Sequence, residues 1–359
     1  MRGIRGLACN MPTIVFKNIL IKEVNTMESF AKKKNNITFT VDYRTEILSI
    51  ILILSDKYKD LVGNKMIPLN NKYIYDRINN KFDKYKNHKT IQLFNQIISK
   101  HKYFNYDAPV TLFLSLDSDL KCNKLNSYLY DEILDRDDLI YKFIDTLNDF
   151  VLDINFDEYY KSNEKEYILF INELYKKHID NNIITFLNSF FKDNSKELFV
   201  NAIPFNSMSN YSSYIENKVY SNIGITQFSK EENLYKDWEW HVGDMMLVSL
   251  HEFCHSYVNP LTEKYVNVNN LNIIVDESMK KFGYDDISTI INENIVRAIV
   301  LYYEKIYLKE RYEESYNREI SLGFKYVEQI LKLFKKNNKY LNFEAFYKNE
   351  IIKFLDNIN

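Results

Sequence analysis

The stretch His251-Glu252-Phe253-Cys254-His255 constrains this chain more than any other. It reads H-E-x-x-H, closes the apolar run Met245-Met246-Leu247-Val248-Ser249-Leu250, and is followed by Pro260. The run reads as a helix buried on most sides, which Pro260 is expected to help end. Two His four apart on a helix lie ~40° apart around the axis and one turn up, so both imidazoles can reach one ion. Glu252 projects ~100° from His251, poorly aimed as a ligand but well placed to take a proton from a water that the ion activates. This is the zinc-hydrolase signature. The bland reading makes both His satisfied core residues and Glu252 a surface charge. With only 6 His in 359 residues, chance rarely produces the spacing.

The third ligand sets the class. No His follows His255, so the three-His pattern of metzincins is excluded. Cys254 lies ~100° round the helix from His255 and is poorly aimed. Cys122 has no Gly-rich setting and does not suggest a deformylase-like site. Acids remain. Asp276 and Glu277 sit at a thermolysin-like separation, but in a segment without clear helical period. Glu293 falls within Ile291-Asn292-Glu293-Asn294-Ile295-Val296-Arg297-Ala298, on a strongly periodic apolar helix where a buried acid needs a partner charge. An ordinary ion pair between Glu293 and Arg297 is the competing reading. Glu293 is preferred as ligand, with Glu277 the runner-up.

The rest of the chain bounds the fold. Seven Gly and 5 Pro leave few tight turns and favour long helices. Ile37, Phe39 and Val41 alternate with polar residues as a half-buried strand does. Helical spacing follows from Thr45 to about Tyr58. Val110, Leu112, Leu114 and Leu116 alternate as a second strand candidate opened by Pro109. Helices are predicted over 128–153 and 163–192. Leu198 to Ala202, the polar stretch 206–213 and Val219 to Ile225 read as two or three strands whose exposed edge could bind an extended peptide or be an ordinary sheet edge. Helices at 286–312, 316–335 and 343–356 close the chain. The expected class is α+β, mostly helical, with a small mixed or antiparallel sheet. The expected divisions are an N-terminal extension (1–36) outside the folded unit, a mostly helical region (37–195) and a catalytic region (196–359), the last two able to form one compact unit.

A net charge of -2 supplies no basic field for nucleic acid and no polybasic membrane patch. The longest apolar stretch, Ile47 to Leu54, is too short to span a bilayer. Three Cys without C-x-x-C spacing fit a reducing, cytoplasmic setting. Lipoprotein anchoring at Cys9 is the weaker alternative, because the N-terminus lacks the apolar core of a signal peptide.

The segments His251 to Leu261 and Glu293 to Ala298, and more weakly Val41 to Leu48, resemble an uncharacterised bacterial family, a domain of unknown function similar to gluzincin metallopeptidases. The resemblance covers residues 37 to about 355. It implies a zincin-like fold, one zinc per chain held by His251, His255 and Glu293, and Glu252 as catalytic base. Cys254 stands where a small residue such as Ser is expected. The expected activity is zinc-dependent hydrolysis of peptide bonds in a peptide or protein substrate; the alternative is a catalytically inactive zincin-like binding module. Arg297, His241 and Tyr220 are candidate donors to the developing oxyanion. Arg297 could instead orient Glu293, and Asn259 could hold His255 by its second nitrogen or simply cap the helix.

Overall fold

The computed structural model describes residues 29–34, 36–62, 72–101, 104, 107–122, 138–178, 182–204, 210–224, 238–271, 273, 275, 279–280, 284 and 286–358. Helices dominate, and one five-stranded mixed sheet organises them: β1 (Phe30–Lys34), β2 (Ile37–Val41), β3 (Glu197–Ile203), β4 (Tyr211–Ile215) and β5 (Lys218–Gly224), in the order β1-β2-β3-β5-β4. β2, β3 and β5 run parallel at the centre, and β1 and β4 are antiparallel edges. β1 lies within the stretch expected to form an extension outside the fold, so the folded unit begins before residue 37. Each edge joins its neighbour through a tight hairpin with a left-handed residue, Asn36 (φ 67°) in one and Glu216 (φ 55°) in the other.

One face of the sheet carries helix Tyr43–Leu54, which packs on helix Ala108–Leu114. A buried polar chain stitches this face together. Asn201 of β3 accepts from the Asp42 backbone N–H (3.1 Å) and donates to Asn222 of β5 (3.0 Å). Asn222 donates to Ser213 of β4 (3.0 Å), which pairs with Thr111 (2.8 Å). Each member is satisfied by the next, which is how polar groups survive burial. Asp42 caps the N-terminus of helix Tyr43–Leu54. Beside it, Arg44 bonds Asp42 and donates to the carbonyls of Leu114 (2.8 Å) and Leu116 (2.7 Å), at the end of helix Ala108–Leu114. The Val41 to Leu48 segment is therefore an architectural joint.

Ala108–Leu114 corrects the second strand candidate. All seven of its residues are buried, so side-chain alternation carries no information about period there. Pro109 occupies the first turn, where its missing N–H costs no hydrogen bond.

Against β4 and β5 packs the longest helix, Trp238–Tyr265, which carries the H-E-x-x-H stretch. It runs through Pro260 instead of ending there. Proline offers no N–H to the carbonyl four residues back, which is that of Ser256. Lys196 Nζ donates to this oxygen at 3.4 Å while lying 4.7 Å above the Tyr257 ring. The lost helical bond is thus partly replaced from outside. Among the described residues, no helix is long and apolar enough to cross a membrane.

Candidate metal centre

Helix Ile287–Tyr307 packs along Trp238–Tyr265. Asp286 caps its start by accepting from the Thr289 N–H (2.9 Å). Thr262 of the motif helix fixes the two helices in register. Its hydroxyl bonds Asn292 Oδ1 and pairs with the Tyr347 hydroxyl (2.7 Å). Glu293 follows Asn292 and is delivered to the two imidazoles.

His251 Nε2 and His255 Nε2 lie 3.1 Å apart. Glu293 Oε2 is 3.6 Å from His251 Nε2, and Oε1 is 3.4 Å from His255 Nε2. Three donors at the corners of a tetrahedron around zinc, each bonded at ~2.05 Å, would be about 3.3 Å apart. The two imidazole nitrogens lie near that value and each has its own Glu293 oxygen close to it; taking one atom from each residue, all three lie within 4.8 Å of one another, so His251, His255 and Glu293 form a group that could hold a metal ion. All three side chains are largely buried. Two imidazole nitrogens facing each other at hydrogen-bond distance beside a carboxylate need a proton or a cation between them.

His255 is oriented from behind. Its Nδ1 lies 3.0 Å from Asn259 Oδ1, and donation to that amide oxygen leaves Nε2 as the lone-pair end. Asn259 therefore holds the imidazole, as its position one turn on suggested, and the helix end it could have capped lies farther along. Burial works against charge on both partners of the His255–Glu293 pair, but the attraction wins. Burial lowers the His255 pKa, yet hydrogen bonding to Glu293 raises it from 6.5 to about 9. Burial raises the Glu293 pKa, yet the two imidazoles hold it well below the ordinary carboxylate range. Glu252 is buried beside His251, and burial pushes its pKa up, with the neighbouring imidazoles opposing. It is thus a more basic carboxylate than a solvated one.

Arg297 lies one turn after Glu293. Its Nε donates to Glu293 Oε2 (3.0 Å), Nη1 to Glu319 Oε2 (2.7 Å) and Nη2 to the Tyr284 hydroxyl (3.3 Å). The guanidinium lies 4.0 Å over the Phe324 ring. It is committed to holding Glu293 and is not a free oxyanion donor. The ion pair between Glu293 and Arg297 is thus present as well, largely buried instead of on an open helix surface.

The other sequence candidates separate from the group. Tyr220 of β5 is buried and stacks on Phe199 (4.6 Å), and its charged neighbours are Asp42 and Arg44, so it belongs with the sheet face that carries Asp42. His241 falls in the first turns of the motif helix, in a stretch whose side chains lie outside the described residues. Glu277 and Asp276 also lie outside them. Cys254 is fully buried in the core, and burial raises its thiol pKa. Tyr284, Glu319 and Phe324 come close to the site from beyond the motif segments, and no local spacing pointed to them.

The chain is therefore an α+β, mostly helical protein with an H-E-x-x-H helix and a distant Glu brought together in one buried group. It belongs to the family described as a domain of unknown function (DUF4932), whose model matches residues 37–354. No curated protein and no solved structure matches the chain.

Proposed function

We propose that the protein is a zinc-dependent metallopeptidase with a zincin-like, gluzincin-type centre. The observation that carries this reading is the convergence of His251, His255 and Glu293 at separations of 3.1 to 3.6 Å, with Glu252 buried next to them. His251, His255 and Glu293 would hold the ion, one per chain. A bound zinc with three protein ligands acidifies water and polarises a carbonyl. The chain's own groups supply the rest. Glu252, buried beside the two imidazoles, would accept the proton of the attacking water and pass it to the leaving amine. Asn259 keeps His255 in the tautomer that presents Nε2. An extended peptide would add to the outer edge of β4, the strand that packs on the motif helix, and pair its backbone there.

The test is zinc content together with turnover. Purified protein should carry about one zinc per chain and cleave members of a peptide library in a chelator-sensitive way. Glu252→Gln should keep the metal while losing at least ~100-fold in rate. A wild type that holds no metal in zinc-supplied medium ends the enzyme reading. A wild type that holds zinc and cleaves nothing makes the protein a binding module.

A further inference from the structure

We propose that Glu319 is a positioning residue for the metal centre, acting through Arg297. The inference rests on the metal-centre reading above. Glu319 sits on helix Lys309–Ser321, outside every motif segment, and is 4% exposed. Its Oε2 accepts from Arg297 Nη1 at 2.7 Å, and its Oε1 from Arg318 Nη2 at 3.0 Å. A buried carboxylate calls for a partner charge; of the two guanidiniums that Glu319 meets, Arg318 is mostly exposed to solvent and Arg297 is the largely buried one, at the shorter distance. That guanidinium has a choice between two carboxylates. A planar guanidinium left with one carboxylate tends to take both of its oxygens. Here Arg297 takes only Oε2 of Glu293, leaving Oε1 directed at His255. The shorter bond to Glu319, the Tyr284 hydroxyl and the Phe324 ring hold the fork in that one-oxygen pose. Glu319 also shares the Arg297 charge, so Glu293 keeps more of its negative charge for a cation.

Removing the Glu319 charge should therefore release Arg297 onto Glu293 and weaken metal binding. Glu319→Gln keeps the shape and one acceptor, so it reads the charge. Zinc affinity, measured by chelator competition, should fall about 10-fold or more, within the range expected for partners of metal ligands. The cobalt-substituted protein should show a shifted d–d spectrum, because the Glu293 donor changes. In an Arg297→Met background the same Glu319→Gln change should cost no more than about 2-fold, since its route to the ligand is gone. A merely structural Glu319 would leave the cobalt spectrum unmoved and add its cost equally in both backgrounds. Should Glu319→Gln fail to fold by circular dichroism, Arg297→Lys carries the test, because it keeps charge, lacks the fork, and should shift the cobalt spectrum too. Wild-type zinc binding with an unchanged affinity and spectrum in Glu319→Gln overturns this inference alone. A wild type without zinc affinity overturns the centre itself.

Discussion

Above pH 7, His255 should make a large contribution to the pH dependence of stability of the metal-free protein. In the folded chain the imidazole is held at about 9, against an ordinary 6.5. Its side chain is only 11% exposed, so solvent screens the pairing with Glu293 little. A gap of that size corresponds to about 3 kcal/mol. Because the folded value is the higher one, this contribution is complete below pH 6.5 and is lost as pH rises through 9. Glu293 has the opposite sign: its value is depressed, so its share is present above 4.5 and is lost as pH falls toward the folded value. The pair is therefore most stabilising between 4.5 and 6.5. For a chain of this size, 3 kcal/mol is a change of about 5 °C in melting temperature. The assay is a series of thermal melts on chelator-treated protein from about pH 5.5 to 9.5, run beside His255→Gln so that other titrating groups cancel. The wild-type advantage should shrink across the upper half of that range. Saturating zinc should abolish or reverse the trend, since metal binding requires the neutral imidazole and expels its proton. Parallel curves for the two proteins, or a wild-type advantage that grows with pH without metal, would refute the reasoning.

Two further outcomes follow from groups behind and beyond the centre. Asn259→Ala should weaken zinc binding about 10-fold by freeing the His255 ring to flip or change tautomer, measured by chelator competition at fixed pH. Glu46→Gln should stabilise the protein above pH 7 by about 1–3 kcal/mol and change little at pH 5, read from urea midpoints. Glu46 is buried, with Oε2 accepting from the Tyr167 hydroxyl (2.7 Å), and burial raises its pKa from 4.5 to about 7. Its folded form thus prefers the proton, and stability is lost as pH climbs from 4.5 through 7 unless an amide stands there.

The centre was legible because its residues break the pattern around them. His251 and His255 interrupt an apolar run at helical spacing, and Glu293 is an acid inside an apolar helix that has no need of one. Such exceptions mark positions where burial must be compensated. What could not be read were partners set by folding over long range. Glu319 lies on a strongly charged helix where one more Glu carries no signal, and Tyr284 lies in an irregular polar segment. Tyr220 fails for a related reason. A strand residue's face depends on register, and β5 is buried on both faces, so hydrophobicity could not say which way its hydroxyl pointed. The alternation at Val110 to Leu116 misled because a short helix buried all round shows no polar face. Pro260 misled because the Lys196 contact that tolerates it comes from a segment some sixty residues earlier.

The sheet order has a consequence for how the protein is made. β2 and β3 are neighbours in space, yet more than 150 residues of mostly helical chain separate them. During synthesis the edge of β2 that β3 will cover must wait until almost the whole intervening segment has left the ribosome, and β5 and the motif helix wait longer still. Closing so large a loop around a parallel pair is slow. The two halves of the chain are thus poor candidates for separate expression, because either one alone would present an unpaired central strand to its neighbours in solution. The group of His251, His255 and Glu293 comes together, on this route, only late in synthesis, since both helices that carry it follow the last strand of the sheet.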